Sequence, residues 1–347
     1  MWGLVRFVAV VSAFVLAGAP AGAAEGDEVP VAVCTVKDSR VSELSGLVAT
    51  ATGYVAINDS NWDPSDIKIF FLDRACKVTR TVGYPTSARD PEDLAMAADG
   101  TLWIADVGDN FNAATRRTTI ALWRLAPGGR TPVIYRFTYP DGPHDAEALL
   151  LERDGSPIIV TKELGGPASL YAPAEKPRAK TAQGVPLHKI GEVRLPSTLT
   201  PNPFDSIGRR TVTGAAQTAD GSRVALRTYA DAFEWDVTTD VLTAITTGKP
   251  RITALPNEAQ GESIAYPVDG DGFLTVSDQP AGGTVIARYG VPPRPSPSRT
   301  GDGPAASGEV VAVRAANRSG LAGMGIAAAG LLIIGLAVAL LRRRKRG

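Results

Sequence analysis

Short runs in which apolar and polar residues alternate, separated by Gly, Asp, Asn and Pro, fill the chain from Val31 to Tyr289, and a period of two predicts strands rather than helices. Within that pattern a six-residue step recurs, from an apolar or small residue to a glycine: Leu47 to Gly53, Leu94 to Gly100, Leu149 to Gly155, Ala215 to Gly221 and Ile264 to Gly270. The residues just before the step are Gly46, Asp93, Ala148, Gly214 and Ser263. A fixed step at such intervals means one supersecondary unit copied along the chain.

Each copy reads as four strands. The second has Leu94 to Ala98, Thr101 to Ala105, Thr119 to Leu125 and Pro132 to Tyr139, with Asp99-Gly100 as the first turn. The fifth copy supplies only three, Ser263 to Tyr266, Gly272 to Ser277 and Thr284 to Tyr289, while Val31 to Val36 precedes the first copy without a partner. The expected fold is therefore all-β: a β-propeller of five four-stranded blades in which the N-terminal strand closes the last blade and hides both edges. The interval from Ala148 to Gly214 is longer than the others. It leaves six blades as an alternative, with Pro173 to Pro186 otherwise read as an insertion loop.

The two ends are of different material. Residues 1–23 combine Arg6, an apolar run from Phe7 to Leu16 and the small-x-small Ala21-Gly22-Ala23, the grammar of a signal peptide. Leu321 to Leu341 is uncharged and long enough to cross a bilayer, and Arg342, Arg343, Arg344, Lys345 and Arg346 follow at once. A basic block there marks the cytoplasmic side. The expected order is signal peptide 1–23, ectodomain 24–290, a Pro/Ser/Gly-rich tether 291–320, a transmembrane helix 321–341 and a basic cytoplasmic tail 342–347, in a single-pass protein of the cell membrane with its N-terminal domain outside.

Charge and cysteines narrow the function classes. Removing Arg6 and the five C-terminal cations from 36 basic residues leaves 30 against 36 acidic ones, a net of −6 for the exported part. Nucleic acid is thereby excluded as a partner, and cations, sugars or basic protein surfaces fit better. Cys34 and Cys76 are the two cysteines, and an exported location lets them pair as a structural disulfide.

Aligning the copies gathers acids at one end of the expected channel. Ser45, Glu92, Glu147, Thr213 and Glu262 start the inner strands, with Glu43, Asp90, Asp145, Thr211 and Gln260 two residues earlier. Asp59, Asp106, Thr161 and Arg227 end the second strands, and Asp278 joins them in the fifth copy. The expectation is an acidic mouth with Lys162 and Arg227 as its cationic exceptions. Oxygen-only clusters suit hard cations, calcium above all, with Glu43, Asp59, Glu92, Asp106, Asp109, Glu147, Glu262 and Asp278 as candidate ligands. The plainer reading of each is a turn residue bonded to nearby amides. No GxSxG elbow surrounds a serine, and of the two histidines only His144 neighbours the acids, beside Asp145 and Glu147.

Asp90-Pro91-Glu92-Asp93-Leu94, Leu102-Trp103-Ile104-Ala105-Asp106-Val107-Gly108-Asp109-Asn110 and Asp145-Ala146-Glu147-Ala148-Leu149 resemble exported bacterial propellers of the phytase-like (esterase-like) and SdiA-regulated kind, which usually count six blades. The resemblance covers the repeat body. It implies a calcium-dependent hydrolase of phosphate or carboxylic esters, with Glu92, Glu147, His144 and Arg227 as candidate catalytic residues. Phosphate chemistry wants cations at the phosphate, and only Arg227 and Lys162 are expected near. The leading expectation is accordingly a membrane-anchored extracellular module that binds an unknown ligand or protein, with a divalent cation at the mouth and the hydrolase as the alternative.

Overall fold

A computed structural model of the protein describes residues 30–59, 63–256, 258–277 and 284–290. The signal peptide, tether, transmembrane helix and tail expected above, and Asp278, lie outside the described residues. Among the described residues no helix is long and apolar enough to cross a membrane.

The described strands form a series of four-stranded antiparallel meanders. The first comprises β2 (Leu44–Thr50), β3 (Gly53–Asn58), β4 (Lys68–Asp73) and β5 (Val78–Gly83). The second comprises β6 (Pro91–Met96), β7 (Leu102–Asp106), β8 (Ile120–Leu125) and β9 (Val133–Thr138), and the third β10 (Ala146–Leu151), β11 (Pro157–Thr161), β12 (Ala168–Pro173) and β13 (Val185–Val193). The fourth is β14 (Val212–Gln217), β15 (Arg223–Thr228), β16 (Asp231–Asp236) and β17 (Arg251–Ala254). The last has β18 (Gly261–Ala265), β19 (Phe273–Ser277) and β20 (Thr284–Tyr289), completed by the N-terminal β1 (Val31–Val36), which pairs antiparallel with β20.

First strands meet in a cycle, β2 against β6, β6 against β10, β10 against β14, β14 against β18 and β18 against β2 again. The fold is a β-propeller. Apolar packing follows the same cycle, because each sheet buries both faces against its neighbours. Leu150, Val160 and Leu170 meet Val224, Leu226 and Phe233 at one such interface, and Leu47, Phe70 and Leu72 meet Leu274, Val276 and Ile286 at another. At the latter, Cys34 on β1 is bonded to Cys76 after β4, with Cα atoms 5.8 Å apart and a sequence separation of 42. In the chain-entropy picture a loop of that size contributes about 4 kcal/mol.

The six-residue step has a local cause. Gly100, Gly155, Gly221 and Gly270 all take positive φ in the turn after a first strand. Asp99, Asp154 and Asp220, just before or at those turns, accept the amides of Thr101, Ser156 and Ser222 in Asx turns.

Three features depart from the sequence expectation. Strand β13 begins at Val185, inside the stretch read as an insertion loop, since Val185 and Leu187 are buried while Pro186 and His188 are exposed, and its start pairs parallel with β9. The expected insertion loop thus shrinks to residues 174–184. Helix α1 (Asp205–Gly208) is the only regular element described between β13 and β14. Helix α2 (Val241–Thr247), between β16 and β17, had no apolar period long enough to declare it. Asp240 caps it through the Thr243 amide, Glu152 accepts the amides of Val241 and Leu242, and Val241 and Ile245 are buried.

Candidate functional site: an acidic mouth built on strand bulges

The register of every first strand slips at the same place. Pairing is irregular between Leu44 and Gly46, Pro91 and Asp93, Ala146 and Ala148, Val212 and Gly214, and Gly261 and Ser263. The extra residue in each is Ser45, Glu92, Glu147, Thr213 or Glu262, all of them buried. A bulge re-aims its side chain out of the pleat, so this ring of polar residues has a backbone cause. Close packing of the first strands requires small residues next to it. A Cβ on Gly214 would stand 2.5 Å from the Glu262 carbonyl oxygen.

Asp93 is the exception in that small-residue row, and it occupies the channel. Its carboxylate accepts the amides of Leu94 (2.7 Å), Leu149 (2.8 Å) and Ala215 (3.2 Å), free-edge donors from three different first strands. Burial pushes its carboxyl well above the usual range against the pull of those amides. Asp93 is a structural brace between sheets.

Above it the bulge glutamates meet other acids. Glu92 Oε1 and Asp90 Oδ2 lie 2.1 and 2.6 Å from the point where a Cβ of Gly108 would be, so both carboxylates lean over that glycine. Glu262 accepts from Gln260 Nε2 (2.5 Å) and from Ser45 Oγ (3.3 Å). Glu147 Oε1 takes the Lys162 ammonium at 2.6 Å, and Lys162 Nζ also stands 5.7 Å from the Tyr229 ring centre. Glu43, with φ 51, holds the Asp59 amide through its carbonyl. Asp59 Oδ1 is buried without a hydrogen-bond partner.

This crowding changes protonation. Burial, reinforced by Glu262, Asp90, Glu43 and Glu147, pushes Asp59 up to about 10. Burial, then Glu147, Asp90 and Asp59, pushes Glu92 well above the carboxylate range despite Lys162. For Glu147, burial outweighs Lys162 and raises the carboxyl to about 8. Burial works to lower the Lys162 ammonium, but Glu147, Tyr229, Glu92 and Glu262 together hold it well above its ordinary value. Burial and mutual repulsion thus favour the protonated carboxyls at this mouth.

Other candidates are elsewhere or otherwise engaged. Asp106 accepts the amides of Arg89 and Asp90, Arg117 Nη1 at 2.8 Å and Trp123 Nε1 at 3.0 Å. Asp109 accepts Arg116 Nε and the Arg117 amide, while its own amide donates to Asp145. Both are structural anchors for the β7–β8 loop and not open metal ligands. Arg227, a catalytic candidate by alignment, has no exposed surface. Its guanidinium is spent on Glu258 (2.8 Å) and on the carbonyls of Ser263 and Thr228, because the space over Gly261 lets it fold into the wall between sheets. His144 sits on the rim, bonded to Asp141 and to the Tyr171 hydroxyl at 3.0 Å each.

Of the residues aligned in the sequence, the structure brings together Glu43, Asp59, Glu92, Glu147 and Glu262, and engages Asp106, Asp109 and Arg227 elsewhere. Tyr229 and the Arg116-Arg117 pair were missed. The adjacent arginines, seven and eight residues after Asp109 in one loop, were the available signal. Among the described residues, no group of three or more His, Cys, Asp or Glu side chains is disposed to hold a metal ion.

No model of a protein family matches the chain, and no curated protein matches it. Among solved structures it is similar to a gluconolactonase from Xanthomonas campestris, at 13% identity and TM-score 0.39, over 71% of this chain and 72% of that one. It is also similar to a streptogramin B lyase, at 11% identity and TM-score 0.33, over 72% of this chain and 65% of that one. Likeness at this level bears on neither substrate nor mechanism, and the fold rests on the sheet order given above.

Proposed function

We propose that the protein is a five-bladed propeller held outside the cell membrane by residues 321–341, and that it is a binding module whose acidic mouth takes an organic cation, an ammonium or guanidinium group. The observation that carries this reading is the convergence of Glu92, Glu147 and Glu262 from three bulges on Asp59, whose Oδ1 is buried and unpartnered. A charge-assisted hydrogen bond from the ligand would satisfy that oxygen. Calcium fits less well. It asks for six to eight oxygens, and among the described residues no three His, Cys, Asp or Glu side chains are disposed to hold a metal ion, so no step is derived through a metal. The ester-hydrolase alternative loses Arg227 to the wall and keeps only Lys162, itself paired with Glu147.

Calorimetry with agmatine, a small guanidinium amine, tests the reading on the full chain in detergent. Binding is expected with net proton release at pH 7, seen as a heat that varies with the ionisation enthalpy of the buffer. Glu147→Gln should weaken it by about tenfold, the loss of one charge-assisted bond. Heat from calcium but none from agmatine would refute it.

A further inference from the structure

Of the exposed large apolar side chains among the described residues, half lie on loops at the end of the channel that carries the acids. Leu164 is 55% exposed in the β11–β12 loop, and Leu199 and Ile207, at 90% and 44%, lie in the β13–β14 connection. Phe111, at 70%, projects from the neighbouring β7–β8 loop. Single exposed apolar residues are ordinary, but a contiguous group beside a polar pit marks an interaction surface.

Contacts tie this arc to the mouth. Lys162, on Glu147, stands over Tyr229, whose ring packs on Phe204 at 4.4 Å and whose amide donates to the Gly208 carbonyl. Ile207 lies between those two residues. A Cβ on Gly165, next to Leu164, would be 3.7 Å from Ile207 Cα, and the Gly165 amide donates to Thr211 Oγ1. The Leu199 loop is latched: Thr198 and Thr200 both donate to the buried Asp231 carboxylate at 2.6 Å, which turns the intervening Leu199 outward. Its exposure is therefore set by two hydrogen bonds, and folding has not removed it.

Resting on the reading of the mouth as an organic-cation site, we infer that the cation arrives on a polypeptide: a segment with one lysine or arginine that enters the mouth, flanked by apolar side chains that cover Leu164, Leu199 and Ile207. Charge complementarity selects this occupant. An anionic phosphate surface would bring further oxygen acceptors to a pit already lined by the oxygens of Glu92, Glu147, Glu262 and Asp59. A polybasic run would meet Arg209 and Arg210 on the α1 side of the arc, so a single central cation fits best.

Three probes on the full chain in detergent test it by fluorescence anisotropy and calorimetry: a heptapeptide with a central arginine flanked by leucines, the same peptide flanked by glycines, and agmatine, which is too small to reach the arc. The leucine peptide is expected to bind at least about tenfold tighter than the glycine peptide, and Leu164→Ser with Leu199→Ser should erase that difference. Equal affinity of the two peptides while agmatine still binds would overturn the inference and leave the cation site standing. Loss of all three would overturn both. Binding to phosphatidylserine vesicles in preference to either peptide would replace the polypeptide by a lipid surface.

Discussion

Asp106 and Glu92 lie on paired strands of one sheet, 2% and 6% exposed, and they do opposite things. Asp106 is surrounded by donors, two amides, the Arg117 guanidinium and the Trp123 indole. Glu92 faces Glu147, Asp90 and Asp59, with Lys162 as the one opposing charge, and is pushed toward its neutral form. Similar burial therefore does not fix how a carboxyl is compensated. What separates these two is that the protein gives Asp106 a guanidinium and an indole donor, and gives Glu92 chiefly other carboxyls.

The largest expected effect breaks the comparison on the structural side. Asp106→Ala leaves the Arg117 guanidinium, which is 6% exposed, and the Trp123 N–H buried without their acceptor. Breaking a buried pair from one side costs about 3–5 kcal/mol. Urea unfolding should show that loss, and a change below about 1 kcal/mol would mean Asp106 is not the anchor described.

How far this contrast was legible in the sequence depends on what each feature needs. The strands were legible because alternation and a left-handed turn glycine are local, and Gly100, Gly155, Gly221 and Gly270 hold the positions that the step requires. The closure by Val31–Val36 was legible because an unmatched strand at each end has one economical partner. The mouth was legible in part. Glu92, Glu147 and Glu262 align because the bulge is repeated, but nothing in a sequence states that the bulge exists. Asp106 shares their composition and their proximity, and only the approach of Arg117 from a loop eleven residues away removes it from the site. Arg227 is the mirror case, a cation at a mouth-facing register that Glu258 draws into the wall.

Titration sharpens the comparison at intermediate size. Asp59 and Glu147 have folded values raised to about 10 and about 8, above the ordinary carboxylate range. Between that range and those values the unfolded chain has released protons that the folded mouth retains, so stability is full in acid, falls as pH rises above the ordinary carboxylate range, and levels off beyond the folded values. The melting temperature should decline from pH 5 to pH 9 and recover in part when agmatine is present. Glu147→Gln should flatten the part of the decline below pH 8. A melting temperature that rises across this interval would show the mouth carboxylates to be ionised and stabilised by groups not identified above.

The smallest expected effect is the most discriminating, because it is set against Asp106→Ala within one sheet. Glu92→Gln exchanges a carboxyl that is already pushed toward neutrality for an amide of nearly the same shape, and it removes one source of repulsion from Asp59, Asp90 and Glu147. Stability at pH 7 should change by no more than about 0.5 kcal/mol, the range of a neutral substitution, and at pH 9 the variant should be the more stable protein. Agmatine affinity should nevertheless fall, since the amide cannot ionise to meet the cation. A residue that only supports the fold would give the reverse pair of results, a lower melting temperature with unchanged affinity. Urea unfolding and calorimetry on one preparation therefore decide whether Glu92 belongs with Asp106 or with the ligand.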